Sequence, residues 1–171
     1  TGCLGNACQV DYALELKKRF VTDDAPLVVD PAMADNGKLY AGFDMAFVEK
    51  MRSLCSAADV VLPNITEAAL LTGEEYRSDG LDEAYVEKLV DGLLNSGAQN
   101  VVLTGVSFDK ALLGAAVYEK REGKIQYVFK QRQEGLWHGT GDLFASAFCG
   151  AYLKGKSMLD AAETACRFVV E

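Results

Sequence analysis

Apolar and polar residues alternate along this chain in two rhythms. Residues 7 to 20 set Val10, Ala13, Leu14 and Phe20 among charged side chains, the spacing of an amphipathic helix that opens near Asn6. Pro26-Leu-Val-Val-Asp30 is then a short unbroken apolar run ending in a carboxylate, which suits a parallel strand covered on both faces. A polar, glycine-containing loop over 34 to 42 leads to a second helix over about 44 to 55. Asp59-Val-Val-Leu62 reads as another buried strand, stopped by Pro63. Asn64 and Glu67 stand at capping-box spacing for a helix through Leu71 that Gly73 closes. A further amphipathic helix from about Asp82 to Leu94 precedes the strand 100 to 104.

Beyond residue 110 the rhythm changes. Residues 110 to 119 and 124 to 130 read as two strands joined at Glu122-Gly123, a hairpin. A loop over about 131 to 140, a helix over 141 to 153 and the start of one more from Ser157 complete the pattern. Strand-helix alternation followed by a late hairpin predicts an α/β fold with a mainly parallel sheet and antiparallel strands at one side. No repeat, low-complexity stretch or linker divides residues 1 to 171, so one domain is expected.

Composition narrows the function classes. Half of the residues are hydrophobic and a quarter charged, enough for a sizeable core and too apolar for a disordered chain. The net charge of −8 disfavours nucleic acid as a partner, and no apolar run approaches the length of a membrane span. Small anions stay open, because local backbone donors and metal ions outweigh net charge. Five scattered cysteines (Cys3, Cys8, Cys55, Cys149, Cys166) with no C-x-x-C pair and a single histidine argue against a disulfide framework or a structural zinc, and for a reducing cytoplasm. Each cysteine is expected to be a small buried hydrophobe. The ends, Thr1 without a methionine or signal pattern and Glu171 inside an apolar rhythm, read as those of a piece of a longer protein.

In open α/β sheets ligands bind beyond the carboxyl ends of the strands. Three such places collect polar groups: Asp30 with Asp35, Asn64 with Glu67, and Thr104 with Gly105. A fourth is His138-Gly-Thr-Gly-Asp142, where glycines leave the backbone bare as an apolar helix begins, an anion-binding start. An aspartate beside such a nest stands where phosphoryl transfer needs a base, although Asp142 is equally a helix-favouring first-turn carboxylate. Asp30, Asp35 and Glu67 are hard oxygen donors that suit Mg²⁺, directly or through water, although each also has a plain structural use. Gly150 to Ser157 matches a P-loop pattern in the wrong context, at the end of a helix rather than after a strand. Asn64-Ile-Thr66 is a glycosylation sequon with no secretory signal. His138, directly before the glycine nest, is read as a structural or exposed loop residue with contact to a phosphate or the substrate as the alternative, and Trp137 and Tyr127 suit either core or an adenine wall.

Val28-Val-Asp-Pro-Ala-Met-Ala-Asp-Asn-Gly-Lys-Leu-Tyr40, Pro63-Asn-Ile-Thr-Glu67 and Gly139-Thr-Gly-Asp142, in this order and spacing, resemble pyridoxal (pyridoxine/pyridoxamine) kinases of the ribokinase-like superfamily. Thr1-Gly-Cys-Leu-Gly5 also looks like a loop of that family. The resemblance implies a three-layer α/β/α fold and transfer of the γ-phosphate of ATP to the 5′-hydroxymethyl of a B6 vitamer, as in vitamin salvage. It implies Asp142 as the base at the substrate and Gly139, Thr140 and Gly141 as the anion hole. Asp30, Asn64, Glu67, Thr104 and Gly105 would meet ATP and its phosphates, Asp35 and Glu67 would serve Mg²⁺, and Tyr40 would lie near the vitamer. A monovalent cation and a homodimer are further expectations of the resemblance. Leu62 departs from it, since many relatives carry threonine before the Pro-Asn pair, and so do the absent N- and C-terminal segments that complete the pyridoxal pocket and adenine site. A ribokinase-like kinase for hydroxymethylpyrimidine or a sugar, and a non-catalytic nucleotide- or vitamer-binding protein, are the alternatives.

Overall fold

The computed structural model describes residues 1–20, 22, 25–133, 135 and 139–170. In chain order these form α1 (Ala7–Phe20), β1 (Val28–Val29), β2 (Ala34–Asp35), β3 (Lys38–Leu39), α2 (Met45–Ser56), β4 (Val60–Val61) and α3 (Ile65–Thr72). The chain continues as α4 (Glu83–Asn95), β5 (Val101–Val106), β6 (Leu112–Glu119), β7 (Lys124–Gln131), α5 (Thr140–Tyr152) and α6 (Met158–Val170). The main sheet has the order β1-β4-β5-β6-β7. β1, β4 and β5 pair in parallel, and β6 pairs antiparallel with both β5 and β7, so four of the five strands run the same way. That is the α/β architecture the alternation predicts.

Side chains sort the helices into two layers. Val29, Val61, Val101 and Leu103 point to one face of the sheet, where they pack with Val10, Met51, Leu54, Leu71 and Leu89 of α1 to α4. Val60, Leu62 and Val102 point to the other, against Phe144, Phe148, Met158 and Ala162 of α5 and α6. Strands covered on both faces read as unbroken apolar runs, which is why β1 and β4 are visible in the sequence although their ladders are only two residues long. Thr1 continues the sheet beyond β1: its N–H donates to the Val28 carbonyl at 2.7 Å, and the Asp30 N–H donates to its carbonyl at 3.0 Å.

The helix boundaries follow from their caps. Asp44 and Asp82 accept from the N–H groups of Phe47 and Tyr85, at 3.0 and 2.8 Å, and start α2 and α4. The capping box of Asn64 and Glu67 is formed in both directions, each bond 2.9 Å, and Gly73 ends α3 in the left-handed conformation with φ 77°. At the false P-loop, the N–H groups of Gly155 and Lys156 reach back to the carbonyls of Tyr152 and Ala151, and the Ser157 hydroxyl caps α6 by accepting from Asp160. This is the helix-stop reading of that motif.

Two expectations need correction. The stretch 34 to 42 is not a plain loop but holds the β2–β3 hairpin, turned by Asn36 and Gly37 at φ 50° and 75°. Asn-Gly is a strong turn signal, masked in the sequence because the flanking residues do not alternate in polarity. The cysteines also divide: Cys55 and Cys166 are buried and Cys149 half-buried, whereas Cys3 and Cys8 are exposed, lying ahead of and at the start of α1. All five are free thiols.

Candidate active site

The site gathers at the carboxyl ends of β1, β4 and β5 and at the start of α5. Asp30, one residue past β1, is only 8 % exposed. Burial, and then the charge of Asp142, push its carboxyl up to about 6. The two carboxylates thus face one another electrostatically across a cleft of about 300 Å³, which both of them line. Ala145, Ser146 and Cys149 line the same cleft from α5, opposite Thr1, Val28 and Leu62. The spacing Asp142, Ser146, Cys149 is i, i+4, i+7, one helix face, a signal the sequence carried but that points nowhere without knowing which face meets the sheet.

The start of α5 fits an anion. Gly139, the N-cap, has φ 82° and no side chain caps the helix among the described residues, so its first N–H groups stay available. A Cβ at Gly139 or Gly141 would meet nothing within 4 Å. Among the described residues the bare backbone therefore meets no packing demand, the left-handed φ at Gly139 being its own reason for a glycine, and it leaves room for close approach of a ligand. Asp142 is exposed in this first turn, with Thr140 half-buried beside it. Trp137 and His138 lie outside the described residues.

Asn64 and Glu67 are structural as well as chemical. Glu67 is 3 % exposed; its Oε1 accepts from Met33 N–H at 3.1 Å and more weakly from Ala34 N–H at 3.5 Å, while Oε2 takes the Asn64 N–H. Burial pushes its carboxyl up to about 8, the three N–H donors working against the rise and the charge of Asp30 adding to it. Asn64 spends its amide on the Ala34 carbonyl at 2.8 Å, so a glycan there would break the site rather than decorate it. Thr104 sits beside Asn64 in a parallel bridge and donates its N–H to Pro63 O at 2.9 Å. Gly105 follows at φ 80°, an exposed backbone at a bulge in β5.

Asp35 is exposed, its two oxygens accepting from the N–H and side-chain amide of Asn36 at 2.8 and 2.9 Å. Tyr40 is half-exposed; burial raises its hydroxyl, and the charges of Glu67, Asp35 and Asp30 add to the rise. Tyr127 is no part of this cluster, for it packs with Phe108 and Phe129 on the α4 side of the sheet. Mg²⁺ fits the donors in one manner only. Among the described residues no three His, Cys, Asp or Glu come together, and the Glu67 oxygens already hold three N–H groups. An ion that keeps its waters and takes oxygens from substrate phosphates suits that set, whereas an all-protein cage does not.

A mainly parallel sheet with an uncapped glycine-rich helix start beside a carboxylate is consistent with the ribokinase-like kinases that the motifs resemble. The model of the phosphomethylpyrimidine kinase family matches residues 1–171, and the chain belongs to that family. A pyridoxal kinase of Arabidopsis thaliana is 31% identical over 169 residues, 95% of this chain and 52% of the relative. The chain thus spans about half the length of that curated relative. A Bacteroides thetaiotaomicron protein, taken to be a phosphomethylpyrimidine kinase and crystallised with pyridoxal, superposes with a TM-score of 0.91 at 32% identity, over 99% of this chain and 60% of that one. The Staphylococcus aureus pyridoxal kinase in complex with AMP-PCP gives 0.83 at 25% identity, over 99% and 60%.

Proposed function

We propose that the full-length protein transfers the γ-phosphate of ATP to the 5′-hydroxymethyl group of pyridoxal, pyridoxamine or pyridoxine. The observation that carries this is the pairing of Asp142 with the uncapped start of α5, across the cleft from buried Asp30. Asp142 takes the proton of the substrate hydroxyl as its oxygen forms the new bond to phosphorus. The bond between the γ-phosphorus and the β,γ-bridging oxygen breaks, and ADP leaves. The N–H groups of Gly139, Thr140 and Gly141 meet the charge on the phosphoryl group. Thr104, Gly105 and Asn64 border the nucleotide phosphates, Asp30 keeps the region acidic, and Tyr40 borders the vitamer. Asp35, and Glu67 from behind the Met33–Ala34 backbone it holds, are the residues that would hold Mg²⁺ through its waters, and the ion would supply charge neutralisation at the phosphates. The likeness to proteins crystallised with pyridoxal and with AMP-PCP supports both ligand classes. A homodimer in the cytoplasm and a monovalent cation belong to the same reading.

The test is ADP release by the full-length protein with Mg²⁺-ATP and a panel of alcohols. Asp142→Asn should keep ATP binding yet lower kcat by a factor of about 10² or more; near-normal turnover removes Asp142 from the role. The family's own description favours one second reading, a hydroxymethylpyrimidine as acceptor. A preference for that alcohol, or for a sugar, overturns the vitamer assignment, and vitamer binding without ADP marks a non-catalytic binding protein.

A further inference from the structure

The β2–β3 hairpin has too little pairing of its own to hold its place, since its ladder consists of Ala34 with Leu39 and Asp35 with Lys38. Its neighbours hold it at two points. At the base, Glu67 and Asn64 take the backbone of Met33 and Ala34. At the tip, the Gly37 N–H donates to the Thr66 hydroxyl at 3.1 Å, and the Tyr76 ring closes over Gly37 so tightly that a Cβ there would lie 2.7 Å from the ring. Thr66 is itself 3 % exposed, a buried hydroxyl in the first turn of α3. Glu67 and Asn64 belong to the site already described, whereas Thr66 and Tyr76 have no part in it.

We propose that Thr66 and Tyr76 are positioning residues that latch the tip of this hairpin onto α3, and through it set where Asp35 and Tyr40 stand. Asp35 lies in the hairpin ladder, and the Tyr40 N–H closes its base on the Met33 carbonyl at 2.9 Å. A hairpin pinned only at the base pivots about that line, carrying Asp35 furthest. The latch accounts for three residue choices together: the glycine at 37, which alone fits beneath the ring, the hydroxyl at 66 and the aromatic at 76.

The kinetic arm of the test rests on the proposed phosphoryl transfer, and the exchange arm does not. In the full-length protein, Thr66→Val keeps the side-chain shape and removes the acceptor. Amide hydrogen exchange at Gly37 and Tyr40 is expected to quicken about tenfold, and Thr66→Ser to restore it, since one buried hydrogen bond is worth about that factor. kcat/KM with Mg²⁺-ATP should fall by a similar factor in Thr66→Val and return in Thr66→Ser. Should Thr66→Val not fold, Tyr76→Leu opens the tip while leaving the hydroxyl in place, and is read in the same way. Unchanged exchange at both amides overturns the latch, and faster exchange with unchanged kcat/KM overturns its positioning role. If the wild-type protein phosphorylates no alcohol, the proposed function falls instead, and the exchange arm alone decides: quickened exchange at the two amides supports the latch and unchanged exchange at both overturns it.

Discussion

Glu67 shows how one side chain serves two purposes. It closes the capping box of α3 and holds the base of a hairpin, yet it does so as a carboxyl withdrawn from water. Its ordinary value is 4.5 and the fold raises it to about 8, so the unfolded chain releases this proton first as pH climbs. The stability tied to the protonated form is whole below pH 4.5 and drains away as pH rises toward 8. Thermal denaturation in a chelator, without nucleotide, should therefore show Tm falling across that window, and Glu67→Gln should flatten the slope. An equal slope in the variant would assign the effect to other groups. The motif N-x-x-E is legible in the sequence, but the three backbone donors are not, because two of them come from residues more than 30 positions away.

Elements were legible to the degree that local chemistry fixes them. Asp44, Asp82 and the Asn64–Glu67 pair announce their helices because a cap is satisfied within three residues. The β2–β3 hairpin was hidden for the opposite reason: its turn is local, but its stability is borrowed from α3. The β6–β7 hairpin is the contrary case, with eight residue pairs in its own ladder. Gly114 lies in it where a Cβ would overlap the Val128 carbonyl of β7. Gly114→Val should accordingly force the two strands apart and cost about 3 kcal/mol or more in urea unfolding, as severe overpacking does. A loss below about 1 kcal/mol would mean that the edge strand shifts freely. Replacing Asn64 by Ala should cost about 1 kcal/mol through the lost cap, and more if the hairpin base detaches with it.

At the scale of the whole molecule, one sheet separates two apolar layers, and each contains a buried thiol. Cys55 lies with α1 to α4, and Cys166 lies with α5 and α6. Burial pushes these thiols up to about 12 and about 11, so both are neutral and shielded in the native state. Labelling of the native protein with a thiol reagent should modify Cys3 and Cys8 quickly, and Cys55 and Cys166 only on unfolding. If the shared sheet makes the layers one cooperative unit, the two buried cysteines become reactive at the same denaturant concentration; separate midpoints would show that one layer opens alone. No helix among the described residues is long and apolar enough to cross a membrane.

The amino-acid sequence by itself determined what depends on neighbours within a few positions. Helix starts and stops, the buried strands, the glycine-rich start of α5 and the order of the motifs are of this kind, since caps, turns and apolar runs are satisfied locally. Tertiary structure alone decided which of these meet. The approach of Asp30 to Asp142, the burial that raises Asp30 and Glu67, the exposure of Cys3 and Cys8 and the seating of the β2–β3 hairpin all depend on distant strands lying side by side. Desolvation and charge act through space, so no spacing along the chain records them.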